Sequence, residues 1–357
     1  MGKGKKKKEK KEKAVAGFSG TVDREKWLSE LEAVQPGLSP KGIIDQSNAF
    51  VFQDGRVLTF NDIIGCHIES SVGLHGAVGA QSLLQVLKKI KSAELQVSVK
   101  DGNLLLVHGK NRVSIHMDAK ITLPVDNIGS PTKWKDIPDG VLDAVEVVVQ
   151  CAGTDERTFI LTCVHLHPER LEATDNVQAC QYSMKTGVSE SMLVGRDSLK
   201  HIVSLGMTQF SEAKNWLHFR NPMGMVLSCR RYAEKYPELT KHFKQIDGDK
   251  ATLPAKLEDV LDVAAVFSSE HADDNRVKVT LEGGKMKVHS KGVTGQAYSD
   301  IPCKFKGDAK QFRIRPQLFG DIAKRFTDCI ISKTKLAFKG KNFRYICCLG
   351  AVEDGTD

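Results

Sequence analysis

The residues best suited to chemistry in this chain form the run Cys163-Val164-His165-Leu166-His167, one thiol and two imidazoles at alternate positions. On a strand, side chains two apart share a face, so these three would present sulfur and nitrogen to one side. That is a zinc-type donor set. Same-face neighbours on a single strand rarely converge on one ion, however. No Cys-x-x-Cys pair or His-Glu-x-x-His helix supplies the remaining ligands, and Pro168 follows at once as a strand end. The expectation is no metal site and no cofactor.

Catalytic motifs are also missing. The chain has no Gly-x-Ser-x-Gly elbow, phosphate loop or dinucleotide fingerprint, and Gly73, Gly76 and Gly79 read as a fragment without its strand-turn-helix setting. Its carboxylates are scattered, with no acid and base paired near a plausible cleft. No catalytic residue is expected, and the chain reads as a binding protein, not an enzyme. Cys347 and Cys348 point to opposite faces of a strand and read as small apolar fillers.

The strongest feature of another kind is charge. Residues 1–13 hold eight Lys and two Glu, which accounts for +6 of the formal net charge of +8. A block of like charge buries no apolar area, so 1–17 is expected to be a disordered basic tail that touches phosphates or acidic partners, or only solubilises. Residues 351–357 form a short acidic counterpart. Across all 357 residues, 41% are hydrophobic and 27% charged, a globular composition that excludes wholesale disorder. No apolar run is long enough to span a bilayer, and the N-terminus has no leader-like apolar core. The expected location is intracellular, with the nine cysteines reduced.

What positions these residues is a repeat. Val78-Gly79-Ala80-Gln81-Ser82-Leu83-Leu84, Val194-Gly195-Arg196-Asp197-Ser198-Leu199-Lys200 and Ile314-Arg315-Pro316-Gln317-Leu318-Phe319 each open an amphipathic stretch after a strand-like run. Their starts lie 116 and 120 residues apart. A second landmark, at Arg56, Arg170 and Lys285, gives offsets of 114 and 115. Each unit begins with a helix-like pattern, at Val22–Val34, Val141–Val149 and Leu257–Phe267, with apolar residues three and four apart. Alternating runs such as Leu95–Val99 and Val277–Leu281, bounded by Gly or Asp turns, predict antiparallel hairpins. In the stretch Gln81–Lys91, Leu83, Leu84, Leu87 and Ile90 make one apolar stripe, while Lys88, Lys89 and Lys91 load its C-terminal end. The fold class is therefore α+β: three tandem units of about 110 residues, each helix, strands, helix, strands.

Taken in order, these motifs resemble the bacterial-type DNA sliding clamp, the three-domain processivity subunit (beta subunit) of replicative DNA polymerases. The likeness spans about residues 18 to 350. It runs through the Val-x-Ala-x-x-Leu-Leu helix at Val78, Leu171-Glu172-Ala173-Thr174-Asp175, Tyr236-Pro237, and Gly295-Gln296-Ala297-Tyr298-Ser299-Asp300-Ile301. The resemblance implies domains at 18–128, 129–254 and 255–350, and a homodimeric ring with helices lining the hole and antiparallel sheets outside. It implies sequence-independent binding of double-stranded DNA, and partners that include a DNA polymerase and a clamp loader using short apolar peptide motifs. It places such a protein in the cytoplasm of a bacterium or of a virus-infected host cell. The alternative is a clamp-fold adaptor or decoy that binds replication proteins without encircling DNA.

Carried over by the resemblance, the DNA-facing candidates are Lys41, Lys88, Lys89, Lys91, Lys200, Lys214, Lys324 and Arg325. The partner-peptide pocket matches Leu161, Thr174, Val177, Pro237, Phe243, Ile346 and Cys348. The dimer interface matches Val113, Ile115, Val266 and Phe267. Two departures stand out. The opening helices of units two and three carry Asp143, Glu146, Glu258, Asp259 and Asp262, which leaves a share of the positive charge to the tail. Asn176-Val177-Gln178 stands where the pattern has Gly-His-Arg, and Cys347-Cys348-Leu349-Gly350 replaces a Met-Pro-Met-like end.

Overall fold

A computed structural model describes residues 18–39, 41–244, 247–270 and 275–352. The readings made for the Lys-rich tail and for Glu353–Asp357 fall outside the described residues. Within them, seven α-helices occur: α1 (Arg24–Ala33), α2 (Ala80–Lys89), α3 (Val141–Val148), α4 (Arg196–Ser204), α5 (Thr240–Lys244), α6 (Leu257–Ser268) and α7 (Pro316–Arg325). One order of elements recurs three times: a strand, a helix, four strands, a second helix, three strands. The third copy adds the two-residue strand Lys304–Phe305. The second sequence landmark coincides with strand starts, and the first spans a strand end and the helix start two residues later. Arg56, Arg170 and Lys285 open strands, while Ala80, Arg196 and Pro316 open helices just after strands.

Gly76 and Gly79 do lie on a strand that runs into a helix, contrary to the sequence reading. Gly76 has φ +135°, and a Cβ there would meet the Asp118 carbonyl oxygen at 2.5 Å, so the strand approaches its neighbour through a glycine.

The chain divides into two compact units, residues 1–137 with 201–231, and 138–200 with 232–357. In the first, Ser19–Asp23, Glu94–Lys100, Asn103–His108 and Asn111–Asp118 form consecutive antiparallel ladders. A second run pairs Gly76–Gly79 with Ala49–Gln53, then Arg56–Phe60, then Ile64–Glu69. Ile64–Glu69 continues into Val226–Tyr232, with His67 opposite Val226 and Ile64 opposite Cys229. The Asp-Gly turn after Leu95–Val99 is where the sequence placed it: Asp101 and Gly102 both take positive φ between two strands. α1 and α2 pack on each other, and Asp23 caps α1 by accepting the Lys26 N–H at 2.9 Å. Trp27, Leu31, Leu83 and Leu87 are fully buried beneath them.

The second unit repeats this wiring. Cys163–His167 lies between Arg170–Thr174 and Met192–Gly195, and Arg170–Thr174 pairs with Gln178–Ser183. Gln178–Ser183 continues into Phe343–Cys348, with Ala179 opposite Ile346. A separate four-stranded sheet runs Gln296–Pro302, Lys285–Lys291, Val277–Glu282, Lys310–Ile314. α6 packs on α7, with Leu257, Leu261, Phe319 and Ile322 buried. One rule joins successive copies in both units: the third strand of the four-strand run pairs with the last strand of the next copy.

The stripe read from the sequence can be tested on α2. Leu83→Ala should cost about 2–5 kcal/mol, because it empties a fully buried site, whereas exposed Gln85→Ala should change stability by under about 0.5 kcal/mol. Denaturant unfolding of both variants checks this.

Candidate partner and nucleic-acid interfaces

The cationic candidates divide by position. Lys88 and Lys89 occupy the last turn of α2 with Lys91 just beyond, and Lys324 and Arg325 end α7; all five are exposed. Lys200 lies mid-way along α4. Lys41 and Lys214 are exposed but belong to loops, not helices. Three of the eight already hold carboxylates. Lys88 Nζ meets Glu32 Oε1 at 2.8 Å across the α1–α2 pair, Lys324 meets Glu258 at 2.7 Å across α6–α7, and Lys200 meets Asp197 at 3.1 Å within α4. Pairs this exposed contribute little to stability but reduce the charge available to a phosphate.

The seven pocket candidates also separate. Leu161, Thr174, Phe243 and Ile346 are buried, Val177 is half-buried, and Pro237 and Cys348 are exposed. Phe243 and Ile346 join Cys163, Ala179, Leu193, Tyr236, Leu239 and Ala337 in one apolar cluster, so the segment leading into α5 covers the Ala179–Ile346 ladder. Tyr236 pins that segment. Its hydroxyl accepts the Thr174 N–H at 3.0 Å and donates to the Cys163 carbonyl at 3.4 Å. Beside it, Phe159 and Tyr232 meet edge-on at 4.7 Å near the surface. Val177 and Cys348 lie elsewhere: Cys348 N–H donates to the Val177 carbonyl at 2.7 Å, and both line a cleft of about 490 Å³.

Polar residues on the same sheet explain the Cys-His-His run. Cys163 donates to the Phe159 carbonyl at 3.7 Å, and burial pushes its thiol up to about 11, away from thiolate chemistry. His167 Nδ1 accepts the Glu169 N–H at 3.1 Å. His165 Nδ1 lies 2.7 Å from buried Glu172, whose carboxylate also accepts from Arg170 Nε at 3.2 Å and Gln181 Nε2 at 2.9 Å. Among the described residues, no three Cys, His, Asp or Glu side chains gather as metal ligands would. No disulfide joins any of the nine cysteines.

The dimer candidates sit on open edges and faces. Val113 and Ile115 share one face of Asn111–Asp118 and are half-buried. Among the described residues, 111–116 of that strand pair only with Asn103–His108. Val266 is 59% exposed, whereas Phe267 packs inside its own unit against Gly295, where a Cβ would stand 2.8 Å from its ring. The sequence reading missed Val263, which is 56% exposed, although its three-residue spacing from Val266 was the available signal. Val293 and Tyr298 are exposed in the same portion of chain, and among the described residues Gln296–Pro302 pairs only with Lys285–Lys291.

No family model matches the sequence, and no curated protein is similar to it. Solved structures are. A DnaN sliding clamp (DNA polymerase III subunit beta) of Bartonella birtlesii, bound to griselimycin, superposes with a TM-score of 0.80 at 14% identity, covering 94% of this chain and 100% of that one. The DNA polymerase III beta subunit of Thermotoga maritima gives 0.78 at 15% with the same coverage. The Streptococcus pneumoniae beta chain gives 0.76 at 16%, again over 94% and 100%.

The chain has the fold of the bacterial DNA sliding clamp. In this clamp fold, the elements found to matter beyond the sequence candidates are Tyr236, which hooks the α5 segment to Thr174, and the Glu172 cluster beneath it. Burial alone would raise the Glu172 pKa, but hydrogen bonds from His165, Gln181 and Arg170 outweigh it and hold the carboxyl below its usual range. A depressed folded pKa gives stability that is complete above the ordinary glutamate range and is lost as pH falls through the lowered value. Glu172→Gln should therefore cost about 1–3 kcal/mol at neutral pH, with the deficit shrinking at acid pH. Urea melts of parent and variant across that range check it.

Proposed function

We propose that the chain is a DNA sliding clamp, a processivity factor that closes with a second copy around duplex DNA and tethers a replicative DNA polymerase without catalysis of its own. The observation that carries this reading is the likeness to solved clamps over 94% of the chain and the whole length of those chains. The threefold order of elements supports three domains of the kind read at 18–128, 129–254 and 255–350, with the opening strand of the third copy, Asp249–Thr252, falling before residue 255. A ring that holds DNA by topology needs no base contacts, so weak attraction to phosphates suffices for sliding.

Edge pairing supports the ring. The joining rule is satisfied twice within the chain, by Ile64–Glu69 with Val226–Tyr232 and by Gln178–Ser183 with Phe343–Cys348. Applied once more, it leaves Gln296–Pro302 as the unfilled third strand and Asn111–Asp118 as the unfilled last strand. In a second copy these are complementary, which favours a closed homodimer over an open chain. Exposed Val263, Val266, Val293 and Tyr298 supply apolar area near one of these edges. We infer that polymerase and clamp loader dock through short apolar peptide motifs at the cleft that Val177 and Cys348 line.

One observation favours the adaptor reading instead: α6 and α7 carry Glu258, Asp259, Asp262 and Asp321 against only Lys324 and Arg325. Retention on DNA separates the two. A clamp loaded on nicked circular plasmid should stay bound in a spin column and be lost when the plasmid is linearised. An adaptor would be lost from both.

Closure makes a second prediction. Val266→Asp with Val263→Asp should shift the light-scattering mass from two chains to one at micromolar concentration, leaving the thermal midpoint of the monomer near that of the parent fold. A parent chain that is already monomeric would sink the ring.

A further inference from the structure

The two joins inside the chain also fix how the two unfilled edges align. At the first join Ile64 stands opposite Cys229, and at the second Gln178 stands opposite Cys347. Ile64 and Gln178 hold the same place in their copies, counted back from Glu69 and Ser183, which pair with the landmark residues Arg56 and Arg170. The third landmark residue, Lys285, pairs with Pro302, so the same place in the unfilled third strand is Ala297. The last strands align likewise. Gly350 bridges to Arg313 as Asp118 pairs with Ala77, and Arg313 and Ala77 directly precede Ile314 and Val78, the starts of the first landmark. Cys347 in the third copy thus matches Ile115 in the first, and the fully buried Leu336 and Leu104 stand opposite them. Ala297 of one copy therefore falls opposite Ile115 of another, which sets Tyr298 against Ser114 and Asp300 against Arg112.

Backbone direction agrees with this alignment. Residues of an antiparallel strand bond alternately to one neighbour and the other. Gly292 donates to the Gly295 carbonyl at 2.8 Å, which turns Gln296, Tyr298 and Asp300 toward the unfilled side. Met117 donates to the Gly102 carbonyl at 2.9 Å, which does the same for Arg112, Ser114 and His116 on the other edge. The alignment sets these two triplets against each other. Exposure agrees as well: both triplets are exposed, while Val113, Ile115, Ala297 and Ser299 between them are half-buried, and a slip by one residue would oppose the two kinds throughout. Each internal join ends on one further bond, from Arg230 N–H to the Ile63 carbonyl at 2.8 Å and from Cys348 N–H to the Val177 carbonyl at 2.7 Å. We propose that two copies close in this one register, with Ser114 opposite the partner's Tyr298, Arg112 opposite the partner's Asp300, and the His116 N–H donating to the carbonyl of the partner's Gln296. Asp300 already meets Lys285 at 3.1 Å, so Arg112 extends an existing ion pair. A cleft of about 790 Å³ lined by Asn48, Ser82 and His116 is the first copy's counterpart of the cleft lined by Asn275, Leu318 and Cys348. The wall that Val177 gives to the latter is supplied to the former by the partner's Gln296. The inference rests on the reading of the chain as a closed dimer and adds the residue-by-residue alignment of its closing strands.

The test uses the full chain with its one exposed cysteine removed by Cys348→Ser. Ser114→Cys and Tyr298→Cys in the same chain then place two thiols at directly opposite strand positions, within disulfide reach. Diamide takes up the two thiol hydrogens as the S–S bond forms. It should convert about tenfold more of this variant to a covalent two-chain species on a non-reducing gel than of Ser114→Cys combined with Gln296→Cys or with Asp300→Cys, whose positions are diagonal. Arg112→Glu should weaken the dimer about tenfold in sedimentation equilibrium, since the pair occurs twice in a closed dimer. Asp300→Lys in the same chain should restore most of that loss, a recovery that misfolding cannot produce. A dimeric chain in which a diagonal pair cross-links as well as the opposite one, or in which none does, overturns the register and leaves the ring standing. A dimer that Asp300→Lys fails to restore has the same meaning. A chain that sediments as a monomer overturns both the register and the ring.

Discussion

The structure depends on how strand edges are satisfied. A strand at the margin of a sheet exposes a row of N–H and C=O groups, and leaving them without partners is costly in buried settings and hazardous in exposed ones. This chain meets the problem by one repeated solution, in which the third strand of a four-strand run takes the last strand of the following copy as its neighbour. Ala179 opposite Ile346 and Cys66 opposite Leu227 are equivalent pairs in this sense, and all four residues are buried. The ladder and the apolar layer beneath it therefore form together. Because copies are joined through strand edges, any change that turns one edge strand by a residue would move its whole inward set to the solvent side. The two edges left over are not defects of this scheme but its unfinished ends.

Much of this was legible in the sequence, because the signals are periodic. The stripe Leu83, Leu87 and Ile90 on α2, and the alternation of Val277, Val279 and Leu281, are local consequences of 3.6-residue and 2-residue geometry. The repeat period was visible because Arg56, Arg170 and Lys285 sit at the same point of the same hairpin. What periodicity cannot reveal is which buried face meets which element. Phe243 and Ile346 were grouped with Val177 and Cys348, yet the first two belong to a closed cluster and the others to a cleft. Arg276, Arg313 and Arg315 also line that cleft, and no local pattern shows it: Arg276 lies far along the chain from the other two, and the pairing of Val277 with Ile314 brings them together. Tyr236 was read only as the neighbour of Pro237, since a hydroxyl that reaches the Thr174 backbone leaves no local pattern.

The electrostatic picture differs from a uniformly positive helix layer. α2 ends in two lysines with a third just beyond, but one is held by Glu32, while α6 contributes three carboxylates and a single lysine of α7 answers one of them. Attraction to a polyanion falls off over a Debye length of about 8 Å at physiological ionic strength, so local imbalance matters more than the total of +8. Lys89, Lys91 and Arg325 are exposed at helix ends, where the backbone dipole also favours a cation and costs them nothing in orientation. A ring that retained DNA by topology would tolerate this uneven field. A protein that held DNA by affinity alone would need many more cations on one face.

The same reasoning accounts for a shared fold at 14–16% identity. Edge pairing is made by backbone groups, which every sequence has, and the layer beneath it asks only for apolar residues of suitable volume at alternating positions. Neither constraint fixes residue identity. Identity is demanded where a side chain does something a backbone or a generic hydrocarbon cannot, as at Gly76, where the strand approach excludes a Cβ, or at Glu172, where one carboxylate satisfies three donors. Sites that only bind are freer still, because a partner can change with them. Two of the departures read from the sequence, at Asn176-Val177-Gln178 and at Cys347-Cys348-Leu349-Gly350, include residues that line the Val177–Cys348 cleft. An arginine-lined wall there leaves the ladders untouched, since Arg313 holds Gly350 through backbone bonds that any residue could make.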